Sequence, residues 1–148
     1  MHLSLQTDYG LRVLMLLAST DRRMSVDEIA RSYGISRNHL AKVAQRLQSS
    51  GYVETSRGRG GGLRLASPAG AMNVGAIVRD LENLDAFVEC MSPQRNMCPA
   101  LGVCGLQNAL GLALGDFLKR LDSYTIADLV PNPARFSQRL GSNIVTPD

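Results

Sequence analysis

The sequence has no tryptophan, and only 5% of its 148 residues are aromatic. Hydrophobic residues still make up 45%, so one packed domain is within reach, with a core built mainly of Leu, Ala, Val and Ile. No stretch approaches the roughly 18 consecutive apolar residues of a membrane span. The opening MHLSLQTDYG has no basic start, continuous apolar run or small-residue cleavage site, so a cytoplasmic location is expected. Cysteine stops at three, an odd number that fits poorly with a secreted disulfide framework. There is no CxxC pair, which argues against thioredoxin-like redox chemistry. No Gly-Lys-Ser/Thr closes a phosphate-binding loop, and no acid/base pair or nucleophile triad stands out, so an enzyme is not expected.

What is present is unevenly placed. The net charge of +3 conceals two halves of opposite sign. Residues 1–66 carry ten Lys and Arg against five Asp and Glu, and residues 67–148 carry six against eight. A basic first half is the footprint expected of a domain that meets a polyanion.

The periodicity in that half resolves into short elements. LSLQTDYGLRVLMLLAS, residues 3–19, is apolar on more than one side of a helix, with Gly10 as its weak point. Ser25 and Glu28 form a capping box ahead of a helix over 26–33, and Gly34 can end it in the left-handed conformation. Ser36 can cap a second helix over 37–49, closed by Gly51, with Leu40, Val43, Ala44 and Leu47 on its inner face. Two short strands follow, Tyr52–Thr55 and Leu63–Ala66, joined by the glycine-rich RGRGGG. Helix, helix–turn–helix and hairpin in this order make a winged helix–turn–helix over residues 1–70.

In such a unit the second helix enters the major groove, led by its N-terminal residues. Here these are Ser36, Arg37, Asn38 and His39, with Lys42 and Arg46 further along the polar face. Arg57 and Arg59 occupy the hairpin tip, where no core needs them. Glycine lets the backbone come close to DNA, and arginine suits a narrow, negative minor groove. A solvated turn is the plainer reading of the loop; charge, position and the preceding helices together favour DNA.

Beyond residue 70 the pattern changes. Asn73 can cap a helix at 74–82, and a segment over 71–104 then ends in CMSPQRNMCPALGVC, which holds all three cysteines, Cys90, Cys98 and Cys104. Pro, Ser, Gln, Arg and Asn around them give a loop rather than a core composition. Thiolates bind zinc or the iron of iron–sulfur clusters, usually four ligands at a time. With His2 and His39 far from the loop, oxygen ligands come into view: Glu89, Asp85 or, distant in sequence, Asp8. From Gly105 to Asp122 a longer helix carries Leu106, Leu110, Ala113, Phe117 and Leu121 near heptad spacing. Its apolar residues nearly encircle it, which suggests pairing with a second copy. One helical turn begins at Thr125, closing a dimerisation unit over 105–130. The tail over 131–148, with Pro131, Pro133 and Pro147, shows no periodicity and reads as mobile. The fold class is therefore mainly α with a small β-hairpin.

TDYGLRVLMLLA, GISRNHLAKVAQRLQSSGYVET, SRGRGGGLRLA and the three cysteines together resemble the iron–sulfur winged-helix transcriptional regulators of the IscR and NsrR type, over about residues 1–130. The likeness is closer to the nitric-oxide-sensing NsrR branch. IscR-type members are expected to use a histidine three residues after the last cysteine, where this chain has Gln107. NsrR-like members are thought to use an aspartate in the first helix, which Asp8 matches. The resemblance implies a cytoplasmic homodimer on a palindromic operator in double-stranded DNA. It implies an iron–sulfur cluster, 4Fe–4S in preference to 2Fe–2S, held by Cys90, Cys98 and Cys104 of one chain and Asp8 of the other. It also implies a repressor that releases DNA on meeting nitric oxide. The competing readings are a winged-helix regulator answering to redox or iron–sulfur status, one with a structural zinc, and an iron–sulfur carrier with an incidental basic surface.

Overall fold

Side-chain oxygens open most of the helices, as the spacing predicts. In the computed structural model, which describes residues 2–94 and 96–141, Ser4 caps α1 (Leu5–Ala18) by accepting the Thr7 N–H at 3.2 Å. The Ser25–Glu28 capping box is complete on α2 (Val26–Tyr33), with N–H···O distances of 3.1 and 2.8 Å. Gly34 ends α2 with φ 64°, as expected. Ser36 caps α3 (Arg37–Ser49). Each such cap contributes ~1 kcal/mol. Beyond α3, Gly51 takes φ 78° and Tyr52 N–H reaches back to the Leu47 carbonyl at 2.9 Å, a Schellman-type stop.

Strands β1 (Val53–Ser56) and β2 (Gly62–Leu65) pair antiparallel, with Val53 opposite Leu65 and Glu54 opposite Arg64. Each lies one residue from its expected place. Met24, between α1 and α2, adds a further bridge to Leu63 through hydrogen bonds of 3.0 and 2.7 Å. Gly62 has φ 133°, and a Cβ there would lie 2.5 Å from the Met24 carbonyl oxygen. That glycine is needed for the bridge rather than for approach to DNA.

The second half holds α4 (Val74–Leu81), single turns at Leu84–Ala86 and Glu89–Met91, then α5 (Leu106–Leu121), α6 (Ile126–Leu129) and α7 (Pro133–Gly141). Helix α7 corrects the expectation of an irregular tail. Asn132 caps it, its side-chain oxygen accepting the Arg135 N–H at 3.0 Å, and Pro133 takes the first position, where a missing N–H costs nothing. Of the prolines in that tail, Pro133 is a helix start. Phe136 and Leu140, one turn apart, pack against the core, and α7 lies on α1 and α2. Residues 142–148, the rest of that tail, lie outside the described residues.

The core is aliphatic, as the composition requires. Leu14, Ile29, Leu40, Leu47, Ile77, Val78 and Ile126 are fully enclosed, each contributing about 1.5–3 kcal/mol on burial. Helix α1 runs through the middle and touches α3, α4, α6, α7 and β2. Gly10 is where α1 meets α4: a Cβ there would stand 2.7 Å from Leu81 Cδ1, with Leu47 of α3 at 3.7 Å. The apparent weak point of the helix is a place where a neighbouring side chain comes close.

Two outcomes follow. Gly10→Val should lower unfolding stability by about 1–3 kcal/mol, the usual cost of overpacking, measured by urea denaturation. Hydrogen bonds from the Ser25 backbone, with Arg22 helping, hold the Glu28 carboxyl below its ordinary 4.5 despite partial burial. Its contribution is therefore present above that value and lost as pH falls through it toward the lower folded value. The urea midpoint should drop over that window, and by less in Glu28→Gln.

Candidate nucleic-acid interface and cysteine loop

The basic half folds so that most of its cations acquire partners. Arg12 pairs with Asp8, Arg22 with Glu28, Arg37 with Asp27, and Arg23 and Arg64 with Glu54. Glu54 and Arg64 face each other across the hairpin, Nε to Oε2 at 2.8 Å, a cross-strand tie at the base of the wing. Arg23 adds a bond to the Gly62 carbonyl at 3.3 Å. Among the described residues of this half, Arg31, Lys42, Arg57 and Arg59 have neither an ion pair nor a side-chain hydrogen bond, and all are exposed.

These positions lie on the helix–turn–helix and on the hairpin turn. Arg57 and Arg59 stand on the turn between β1 and β2, which closes through Gly61 N–H to the Gly58 carbonyl at 3.0 Å. Lys42 lies on α3 and Arg31 on α2, the two helices of the helix–turn–helix. Arg31 was not singled out in the sequence; its signal was only the charge excess, since nothing in α2's periodicity marks it. On helix positioning, α2 residues suit phosphates and α3 residues suit bases.

The other candidate residues divide by what they already hold. Asn38 and His39 are exposed, with no side-chain partner among the described residues. Ser36 is exposed, and its Oγ is engaged in capping, accepting the His39 N–H at 3.4 Å. Arg37 lies 2.6 Å from Asp27, an exposed pair that water and a phosphate can compete for. Arg46 donates through Nη2 to the Asp80 carbonyl at the end of α4, at 2.7 Å. It serves the fold in this conformation.

The cysteine loop is tied at both ends to the first turn of α5. Gln107 Nε2 donates to the Cys90 carbonyl at 2.8 Å, and Leu106 N–H points at Cys104 Sγ at 3.4 Å. Asn96 Nδ2 spans the loop to the same Cys90 carbonyl at 3.4 Å, while its Oδ1 is buried with no hydrogen-bond partner among the described residues. Cys90 and Cys98 are half-buried and Cys104 is exposed, all as free thiols. The donor chemistry of three thiols fits a soft or borderline metal or an iron–sulfur cluster. Among the described residues, though, no three His, Cys, Asp or Glu side chains gather closely enough to hold one metal ion. Asp85 and Glu89 are exposed.

Asp8 lies in the first turn of α1 with both oxygens on Arg12, at 3.0 and 2.8 Å, and its side chain is 40% exposed. The Arg12 guanidinium also stands 5.7 Å from the Tyr9 ring centre and 5.9 Å from that of Tyr33. Burial pushes the Tyr33 hydroxyl up to about 12, and it donates to the Arg12 carbonyl at 2.9 Å. Within one chain, then, Asp8 belongs to a charged cluster on α1 and not to the loop.

Comparison with known proteins agrees with this architecture. The family model of Rrf2, the iron-dependent transcriptional regulators, matches residues 3–132. The chain is 46% identical over 134 residues to the HTH-type transcriptional regulator NsrR of Bacillus subtilis, covering 89% of this chain and 92% of that protein. The NsrR of Bacillus licheniformis is 42% identical over the same length, with 89% and 94% covered. Among solved structures, CymR (YrzC), the global cysteine regulator of B. subtilis, superposes with a TM-score of 0.69 at 27% identity, over 92% of this chain and 98% of that one. IscR of T. potens gives 0.71 at 24% identity, over 88% and 87%, a likeness of fold.

The unpaired cations give a direct test of the surface. Arg57→Ala and Arg59→Ala should each weaken duplex binding and lower the slope of log affinity against log salt by about one. Thermal unfolding should not move, because neither side chain is packed. Unaltered salt slopes in fluorescence anisotropy would take the wing tip out of the interface.

Proposed function

The chain belongs to the Rrf2 family of iron-dependent transcriptional regulators, and from that premise we propose that it is a dimeric, nitric-oxide-sensing repressor. It holds a palindromic operator through α3 and the wing, and releases it when nitric oxide reaches an iron–sulfur cluster on the cysteine loop. The observation that carries the reading is the three-thiol loop, tied at both ends to α5 and attached to a winged helix with free cations on its reading face.

Cys90, Cys98 and Cys104 would hold the cluster, 4Fe–4S in preference to 2Fe–2S, with Asp8 of the partner subunit as the fourth ligand. When bound, the cluster supplies iron that nitric oxide can ligate. A carboxylate is a harder and weaker partner for iron than a thiolate, so Asp8 would be the weakest of the four donors. Arg12 is placed to take that carboxylate back, since it already holds both oxygens in the isolated chain. Helix α1 carries Asp8 and packs on α3 at Gly10, Val43 and Leu47, so a change in what Asp8 holds bears on the reading helix. A dimer must present its two reading helices about 34 Å apart, one DNA turn, and a small shift spoils that match.

Helix α5 offers the surface for pairing. Its C-terminal half packs inward through Leu114, Phe117, Leu118 and Leu121. Its N-terminal half leaves Leu106 and Leu112 59% and 65% exposed. Apolar exposure of this kind on a helix is normally covered.

Three measurements bear on this reading. With the holo-protein on a duplex selected from a random pool, anaerobic nitric oxide should cut affinity at least about tenfold, within the usual coupling range. An affinity indifferent to nitric oxide would sink the sensing claim, and a colourless protein containing zinc would replace the cluster. Asp8→Ala should change the visible spectrum or the nitric oxide dose response; identity in both removes Asp8 from the ligand set. Leu112→Glu should shift the sedimentation coefficient from dimer to monomer.

A further inference from the structure

Three consecutive residues where α4 ends each grip a different part of the DNA-binding unit. The Asp80 carbonyl accepts from Arg46 of α3 at 2.7 Å, and its carboxylate accepts from the Tyr52 hydroxyl just before β1. Leu81 fills the space beside Gly10 of α1. Glu82 Oε2 accepts the Ser4 N–H at 2.9 Å, ahead of the first turn of α1, and the wholly buried Thr7 also hydrogen-bonds this carboxylate. Burial pushes the Glu82 carboxyl up, but these bonds outweigh it and hold it below its ordinary 4.5. So α1, α3 and the foot of the wing are all fastened to one turn of chain.

That turn runs directly into the cysteine loop, with only residues 83–89 before Cys90. Tyr52 is a node of its own. Its N–H closes α3 on the Leu47 carbonyl at 2.9 Å, and its carbonyl accepts the Ala66 N–H just past β2 at 3.0 Å. Movement of the α4 end would reach the reading helix and both strands through this one residue. The Leu81 contact is apolar and tolerates rotation, whereas the Tyr52–Asp80 and Ser4–Glu82 bonds are directional and do not.

We propose that Asp80, Leu81 and Glu82 form the joint through which the state of the cysteine loop sets the placement of α3 and the wing. Glu82 and Tyr52 are positioning residues, neither cluster ligands nor DNA contacts. The inference rests on the reading that α3 and the wing bind duplex DNA and that the loop holds the sensing group. It adds which residues connect the two.

Coupling between two sites acts in both directions, so bound DNA must alter the loop if the joint exists. The probe is the full chain purified anaerobically with its cluster, on a duplex selected from a random pool by the wild type. Hydrogen–deuterium exchange of the backbone N–H groups over residues 83–104, read by peptide mass spectrometry, gives the loop's opening rate with and without DNA. In the wild type, saturating duplex should change that rate by about fivefold or more, the lower end of ordinary coupling. Glu82→Gln and Tyr52→Phe should each shrink that change below about twofold, while duplex binding itself persists. A purely structural role would move the unfolding midpoint and leave the DNA dependence of exchange intact. Two results overturn the joint: a wild-type loop that ignores bound DNA, or variant loops that respond as the wild type does. A wild type that binds no duplex overturns the functional reading and the joint with it. A wild type that binds duplex and answers to nitric oxide, with a loop indifferent to DNA, removes the joint alone. Should Glu82→Gln fail to fold, Tyr52→Phe, which loses one exposed hydroxyl, carries the test.

Discussion

The contact of Gly10 with Leu81 lets α1 lie against α4 and α3 at once. A larger residue would press on the Leu81 side chain and on Leu47, within a helix that also touches α6, α7 and β2. Interiors packed to crystal-like density transmit such displacements instead of absorbing them. The arrangement puts the Asp8–Arg12 pair, the reading helix and the start of the cysteine loop around one helix. The helix–turn–helix and the chain leading into the cysteine loop thus share one packed neighbour.

Electrostatics refine this picture. A raw excess of positive charge says only that a polyanion would be attracted. Folding then spends much of that excess on pairs: the wing foot on Glu54, the α2 start on Glu28, α1 on Asp8. Exposed pairs of this sort contribute little stability, roughly 0–1 kcal/mol each. Their effect is to narrow the attractive surface to the helix–turn–helix and the hairpin tip, where Arg31, Lys42, Arg57 and Arg59 stay unpaired among the described residues.

Local signals in the sequence were read well because their causes are local. Ser25 with Glu28, Ser36, Asn73 and Gly34 fix helix ends within three or four residues, and α2 and α3 lie where these signals put them. Both strands sit one residue nearer the turn than expected, with Val53 opposite Leu65. Helix α7 lacks a clear periodicity, and its signal is the pair Asn132 and Pro133, a cap followed by a first-position proline. The grip of Glu82 on Ser4 spans 78 positions, and that of Arg46 on Asp80 spans 34. No periodicity encodes contacts between such distant residues. Gly10 shows the same limit from the other side: propensity marks it as a weakness, and only the partner helix gives the reason for it.

The wing has a consequence for how such a regulator can diversify. Gly58, Gly60 and Gly62 all take positive φ, and Gly61 has no room for a Cβ beside the Ser56 carbonyl. These four positions are tied to the shape of the turn. Arg57 and Arg59 between them touch nothing that folding needs. Selection can therefore exchange the two side chains freely while the loop that presents them stays constant. Duplicated genes could acquire new operators at the wing tip without passing through misfolded intermediates.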